Sequence, residues 1–169
     1  MRNVAPASAQ SGVARPTAGR KWGTLAAVCT ALFVVAVNTT AVNTLLPAIA
    51  DFLHASVSSL AWVVSSYLLV AAAFIVTGGQ LGDILGRRKL FLLGIALYAV
   101  ASVVIALAQA QWLVILGRGL QGLGAAILLP GSLALIDVAF PEEEQGTAIG
   151  VWGAIAGLGF ALGPWPRRW

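Results

Sequence analysis

Charge is what this chain of 169 residues has least of: ten Lys and Arg and six Asp and Glu make up only 9% of it. Soluble domains carry about 25% charged residues, so a chain this poor in charge cannot cover itself with a hydrated surface. Cys29 is the one cysteine, which excludes an intrachain disulfide and a cysteine-built metal site; inside an apolar run it reads as a small buried filler. His54 is the one histidine and falls in a loop between apolar runs. No cluster of His, Cys and carboxylates has the spacing of a metal centre or a hydrolytic site, so no metal, cofactor or catalytic residue is assigned and the chain is not read as an enzyme. The net charge of +4 raises the question of nucleic acid. The basic residues sit at the flanks of apolar runs without interleaved aromatics, and nucleic acid is therefore not expected as a partner.

What is present is apolar: 59% of the residues are hydrophobic, and the mean hydropathy is +0.91. The few charges fall in short clusters between long uncharged stretches, the layout of loops between membrane spans, so the expected surroundings are a lipid bilayer. Residues 1–21 are rich in Ala, Ser, Pro, Gly and Arg and read as a disordered tail. A secretory signal is the rival reading, but the apolar run from Trp22 to Ile49 is longer than the ~7–15 residues of a signal core. Five spans of about the ~20 residues needed to cross ~30 Å of hydrocarbon follow, at about 22–46, 59–81, 89–109, 112–138 and 146–165. Short connections make antiparallel neighbours, so the expected fold is an all-α membrane protein, an antiparallel transmembrane helix bundle over residues 22–165.

Lys and Arg in short loops mark the cytoplasmic side. Arg2, Arg15, Arg20 and Lys21 precede the first span and Arg87, Arg88 and Lys89 separate the second from the third, whereas the first and third loops hold neither residue type. The N-terminus is expected to be cytoplasmic. Glu142, Glu143 and Glu144 in the fourth loop weigh little in this rule, and Asp137 reads as a helix-end residue.

Three stretches carry more than hydropathy. Gly79-Gln80-Leu81-Gly82-Asp83-Ile84-Leu85-Gly86-Arg87-Arg88-Lys89 joins the second span to the third. Gly86 permits a tight reversal, Asp83 can pair at a helix end, and Arg87 and Arg88 hold the loop at the headgroups; on charge alone this is a positive-inside turn. In the fourth span, Leu116-Gly117-Arg118-Gly119-Leu120-Gln121-Gly122-Leu123-Gly124-Ala125-Ala126 sets one arginine among glycines. Arg118 lies ~9 Å along the axis from the start of the span. An intramembrane Arg costs ~2.5–3.5 kcal/mol on insertion scales and is tolerated facing a bundle interior or wet cavity, or by snorkelling, so Arg118 is expected inside with Gln121 one turn on. Pro130-Gly131 is expected to kink that helix. In the first span Thr39, Thr40, Asn43 and Thr44 cover an arc of ~140°, a polar stripe suited to a cavity wall or to interhelical hydrogen bonds. In the fifth, Gly153 with Gly157 and Gly159 with Gly163 form G-x-x-x-G pairs that let another helix approach closely and offer a route to self-association.

The ordering G-x-L-x-D-x-x-G-R-R resembles the signature loop of the major facilitator superfamily, with Ile84 where the family often has a basic or polar residue. The resemblance implies a conformational-switch role for Gly79, Asp83, Gly86, Arg87 and Arg88. Arg118, Gln121, Gly122, Gly124 and Ala125 match the family's R-x-x-Q-G-x-G-A signature, whose arginine is linked to proton coupling. Gly159, Gly163 and Pro164 resemble the first half of the antiporter signature G-x-x-x-G-P-x-x-G-G, which marks exporters; Pro166, Arg167 and Arg168 stand near its expected final glycines. Asn38, Thr40, Asn43 and Pro47 resemble the D-x-T-x-x-N-x-x-L-P pattern of 14-span drug/proton antiporters, as does the run from Trp62 to Leu69. Asn38 replaces the aspartate of that pattern, and an amide does not titrate in the physiological range.

The resemblance implies a multi-pass transporter of the plasma (inner) membrane that exports small drug-like molecules against inward proton flow by alternating access, with sites near the midplane. The family's halves have six helices and its members twelve or fourteen, against five spans here. Arg167 and Arg168 also oppose the charge rule, so residues 166–169 are expected to be an aberrant tail after a frameshift or premature stop. The rival class is a nonfunctional fragment or a membrane interaction subunit without transport.

Overall fold

A computed structural model describes residues 18–162. They form five α-helices: α1 (Ala18–Leu53), α2 (Val57–Leu85), α3 (Arg87–Ala106), α4 (Gln111–Ala139) and α5 (Glu142–Leu162). All five are long and apolar enough to cross a membrane. The signatures' Gly163 and Pro164 and the tail 165–169 lie outside the described residues, as do positions 1–17 of the expected tail.

The breaks between helices have local causes. His54, with φ 48, takes the left-handed conformation that ends α1, and the Ser56 side chain accepts from the Ser59 N–H to cap α2. Gly86 alone separates α2 from α3; its φ of 93 lies where a side chain is strained, so the reversal needs glycine. Pro141 precedes α5, whose first turn carries Glu142, Glu143 and Glu144 against the positive end of the helix dipole.

Two boundaries correct the sequence reading. Residues 18–21, assigned above to a disordered tail, are the first turn of α1, and α5 begins at Glu142 rather than 146. One arrangement accounts for both: Lys21 forms an ion pair with Glu144, and the Trp22 ring meets Phe140 edge-on at 5.8 Å. These contacts anchor helix turns that project past the apolar stretch from which span lengths are read. Pro130 lies within α4, which runs as one helix through it.

α4 is the centre of the bundle. It packs most extensively against α2 and α3, while α1 packs on α5 and on α4. Close backbone approach makes this possible: a Cβ on Gly122 would stand 2.5 Å from the Tyr67 carbonyl oxygen, and one on Gly78 2.5 Å from that of Ala126. The core joins Val28, Leu32, Tyr67, Tyr98, Leu128 and Ile136, whereas Val57, Leu69 and Leu107 face outward, as a lipid-exposed surface requires. An apolar groove of about 580 Å³ opens between α1 and α3, with Ala31, Val35, Tyr98 and Leu128 among its walls.

Candidate functional site

Two polar centres are built on this scaffold. The first is inside the bundle. Arg118 is 1% exposed and Gln121 fully buried, between α2, α3 and α4. Arg118 Nε donates to the Val63 carbonyl at 3.2 Å and Nη1 to Gln121 Oε1 at 2.9 Å. Gln121 Nε2 donates to Ser102 Oγ at 2.9 Å, and Ser102 donates in turn to the Tyr98 carbonyl at 2.9 Å. The guanidinium carbon stands 4.2 Å from the centre of the Tyr67 ring, a cation–π contact. The glycine of the R-x-x-Q-G run sets this geometry, because Gly122 brings α2 so close that Val63 and Tyr67, one turn apart, reach Arg118.

Magnitudes explain why the arginine is tolerated. Its insertion cost of ~2.5–3.5 kcal/mol is offset by two hydrogen bonds from a charged donor, ~1.5–3 kcal/mol each, and by a desolvated cation–π contact of about 2 kcal/mol. Among the described residues no carboxylate forms an ion pair with Arg118, so the site holds a fixed positive charge. The Tyr98 hydroxyl beside it is buried without a hydrogen-bond partner among the described residues.

The second centre closes the Gly86 end of the bundle. Arg87 Nε donates to Asp83 Oδ1 at 3.2 Å across the turn, and Nη1 donates to the Ala134 carbonyl at 3.0 Å. Nη1 also lies 3.6 Å from Asp137 Oδ2. Arg87 thus ties the ends of α2, α3 and α4 together, while Arg88 is exposed. Asp137, read above only as a helix-end residue, belongs to this cluster. Fifty positions separate it from Arg87, so no local motif connects them; its one sequence signal is a carboxylate on the same side of the membrane as the basic turn.

The remaining candidates stand apart from both centres. The hydroxyls of Thr39, Thr40 and Thr44 donate to carbonyls of their own helix, at Val35, Ala36 and Thr40, and Asn43 is exposed. Asn38 Oδ1 is buried without a partner among the described residues. No hydrogen bond among the described residues connects this stripe to Arg118. The glycines of α5 divide into two sets. Gly159 is buried against α1, where a Cβ would lie 2.7 Å from that of Ala36, whereas around Gly146, Gly150, Gly153 and Gly157 the space is open. Gly79 faces α4, with Pro130 3.6 Å from where its Cβ would be.

Comparison with known proteins places these centres in context. Residues 28–165 match the family model described as Major Facilitator Superfamily. Over 158 residues the chain is 40% identical to the tetracenomycin C resistance and export protein of Streptomyces glaucescens, covering 91% of this chain and 29% of that protein. It is 41% identical over 142 residues to the multidrug resistance protein Stp of Mycobacterium tuberculosis, covering 83% of this chain and 26% of that one. With the multidrug efflux pump LfrA of Mycolicibacterium smegmatis it shares 38% identity over 149 residues, 88% of this chain and 30% of the pump. The chain thus spans less than a third of the length of these curated relatives.

Proposed function

The chain belongs to the major facilitator superfamily of membrane transporters, and on that premise we propose that it supplies the first five helices of a proton-coupled exporter of drug-like small molecules. In this reading it resides in the plasma membrane with the N-terminus and the Gly86 turn on the cytoplasmic side. The observation that carries the reading is Arg118: a sealed cation, held by Val63, Gln121 and Tyr67, with no carboxylate paired to it among the described residues. Leucine would pack here with no insertion cost to offset, which supports a functional reading of the charge. Export rather than uptake is supported by the names of these relatives, which speak of resistance, export and efflux.

The fixed charge constrains the coupling chemistry. A carboxyl group near Arg118 would be held ionised until substrate or motion separated them, which is how a proton comes to be taken up and released in step with transport. Asn38 cannot be that group. Asp83 and Asp137 lie at the Gly86 end and Asp51 at the His54 end, so the described spans carry no carboxylate at mid-depth. The proton-carrying acid in this reading comes from a second helix bundle facing this one, and Arg118 tunes it. Asp83 and Arg87 hold the cytoplasmic end closed in one state and release it in the other; exposed pairs of this kind are worth ~0–1 kcal/mol, weak enough to exchange.

A chimera tests this. Residues 28–162 replace the matching segment of the Streptomyces glaucescens export protein, and energised export by cells carrying it is followed. Export above a vector control supports the reading; a chimera that inserts and does not export contradicts it.

One observation favours a second reading, a membrane interaction subunit: the open face of Gly146, Gly150, Gly153 and Gly157 on α5 suits close approach by another helix. Cross-linking of the chain in bilayers that disappears in Gly153→Leu, with no export by the chimera, would favour it.

A further inference from the structure

We propose that Gln145 is the positioning residue through which the Arg87 cluster holds the start of α5. This inference rests on the Gly86 turn acting as a conformational switch, as argued above, and adds a connection from that switch to a fourth helix.

The geometry is a relay centred on one carboxylate. Asp137 Oδ2 faces Arg87 Nη1 at 3.6 Å, and its other oxygen, Oδ1, accepts from Gln145 Nε2 at 3.1 Å. The same amide nitrogen stands 3.2 Å from the Asp137 carbonyl and 3.3 Å from that of Phe140, both orphan acceptors at the end of α4. Gln145 lies in the first turns of α5, so its side chain staples the end of α4 to the beginning of α5. Because the staple and the switch use the two oxygens of one carboxylate, the position of Asp137 answers to both. When Arg87 lets go, the Asp137 carboxylate keeps only the Gln145 contact and is free to take another rotamer, in which Gln145 loses its charged acceptor. Withdrawal of Gln145 likewise frees Asp137 to leave Arg87.

The consequence reaches into the bundle through Ala148, one turn beyond Gln145. It is 2% exposed and belongs to the core that contains Leu25 and Val28 of α1, Ile136 of α4 and Phe140 just beyond it. Four residues further on, the Trp152 indole N–H donates to Ser132 Oγ at 3.0 Å, a second tie between the same two helices. Loosening of the Gln145 staple therefore frees the Ala148 turn from α4, while Trp152, and α1 through the Lys21–Glu144 pair, still hold α5. Glutamine suits this role because its neutral amide supplies donors to both carbonyls and carboxylate; a glutamate in its place would offer only acceptors to Asp137.

The test reads α5 directly and needs no transport. In the full chain carrying Cys29→Ser and Ala148→Cys, reconstituted in lipid nanodiscs, the rate of maleimide modification reports opening of the α4–α5 turn. Gln145→Ala is expected to raise that rate about three- to tenfold, the range for losing one ordinary hydrogen bond, since the exposure of the Asp137 carboxylate screens its charge. Arg87→Ala alone is expected to raise it as well. In the double variant the two effects are expected to fall well short of adding, because both act through Asp137. Full additivity would reduce Gln145 to a local cap and overturn the proposal, as would an unchanged rate in Gln145→Ala. Gln145→Glu, which keeps the size and loses the donors, carries the same cycle should the alanine variant misfold, with Cys at Ala101, a fully buried position of α3, reporting an intact bundle. If the cycle shows coupling and the chimera does not export, the relay stands and the export reading falls.

Discussion

Arg118 and Tyr67 face each other across the α2–α4 interface with 4.2 Å between guanidinium carbon and ring centre. The contact uses the face of the ring, so its worth lies in the π-system and not in the hydroxyl. Tyr67→Phe is accordingly expected to unfold at nearly the denaturant concentration of the parent chain in mixed micelles. Tyr67→Leu, which keeps bulk and loses the π-face, is expected to cost ~0.5–2 kcal/mol in the same titration.

Gly122 sets the distance at which that pair meets. A methyl group there would stand 2.5 Å from the Tyr67 carbonyl oxygen, so Gly122→Ala must push α2 from α4 and is expected to destabilise the chain by ~1–3 kcal/mol. Gly153→Ala meets open space and serves as the control, with no expected loss. Thermal unfolding of the two variants side by side makes the comparison.

At the Gly86 turn the constraint is on the backbone. With φ at 93, Gly86→Ala is expected to cost ~1–3 kcal/mol of backbone strain and to weaken the Asp83–Arg87 pair that spans it. Cysteine at Lys89, exposed beside the turn, should be modified faster by a maleimide in that variant than in the parent.

Orientation in the bilayer is open to a direct check. Lys89→Cys and Ser58→Cys, each in a Cys29→Ser background, lie at opposite ends of the bundle. An impermeant reagent applied to whole cells is expected to reach Ser58→Cys only, if the basic turn follows the positive-inside rule. Labelling of Lys89→Cys alone would invert the topology.

Much of this architecture is legible in the residues themselves, and the parts that are not have physical reasons. Five spans follow from hydropathy, and the expectation that Arg118 and Gln121 turn inward follows from the cost of a guanidinium in hydrocarbon. The partners of Arg118 do not: Val63, Tyr67 and Ser102 sit on other helices, and only the packing allowed by Gly122 brings them together. The threonines of α1 are a different case: periodicity gives them a polar stripe, and each hydroxyl donates to a carbonyl of the preceding turn, a bond that the stripe alone does not foretell. Helix ends depend on contacts such as Lys21 with Glu144, which join residues more than a hundred positions apart and leave no periodic trace.

If the sealed cation at Arg118 serves transport and not merely packing, its removal stops transport in the chimera described above, reconstituted in liposomes with an imposed pH gradient and a fluorescent substrate of the parent exporter. Arg118→Ala is expected to insert and fold while losing gradient-driven substrate movement, and Arg118→Lys to recover little of it, because an ammonium cannot make the forked contacts to Val63 and Gln121 or stack on Tyr67 as guanidinium does. Gradient-driven transport by Arg118→Ala at the rate of the unsubstituted chimera would contradict the account.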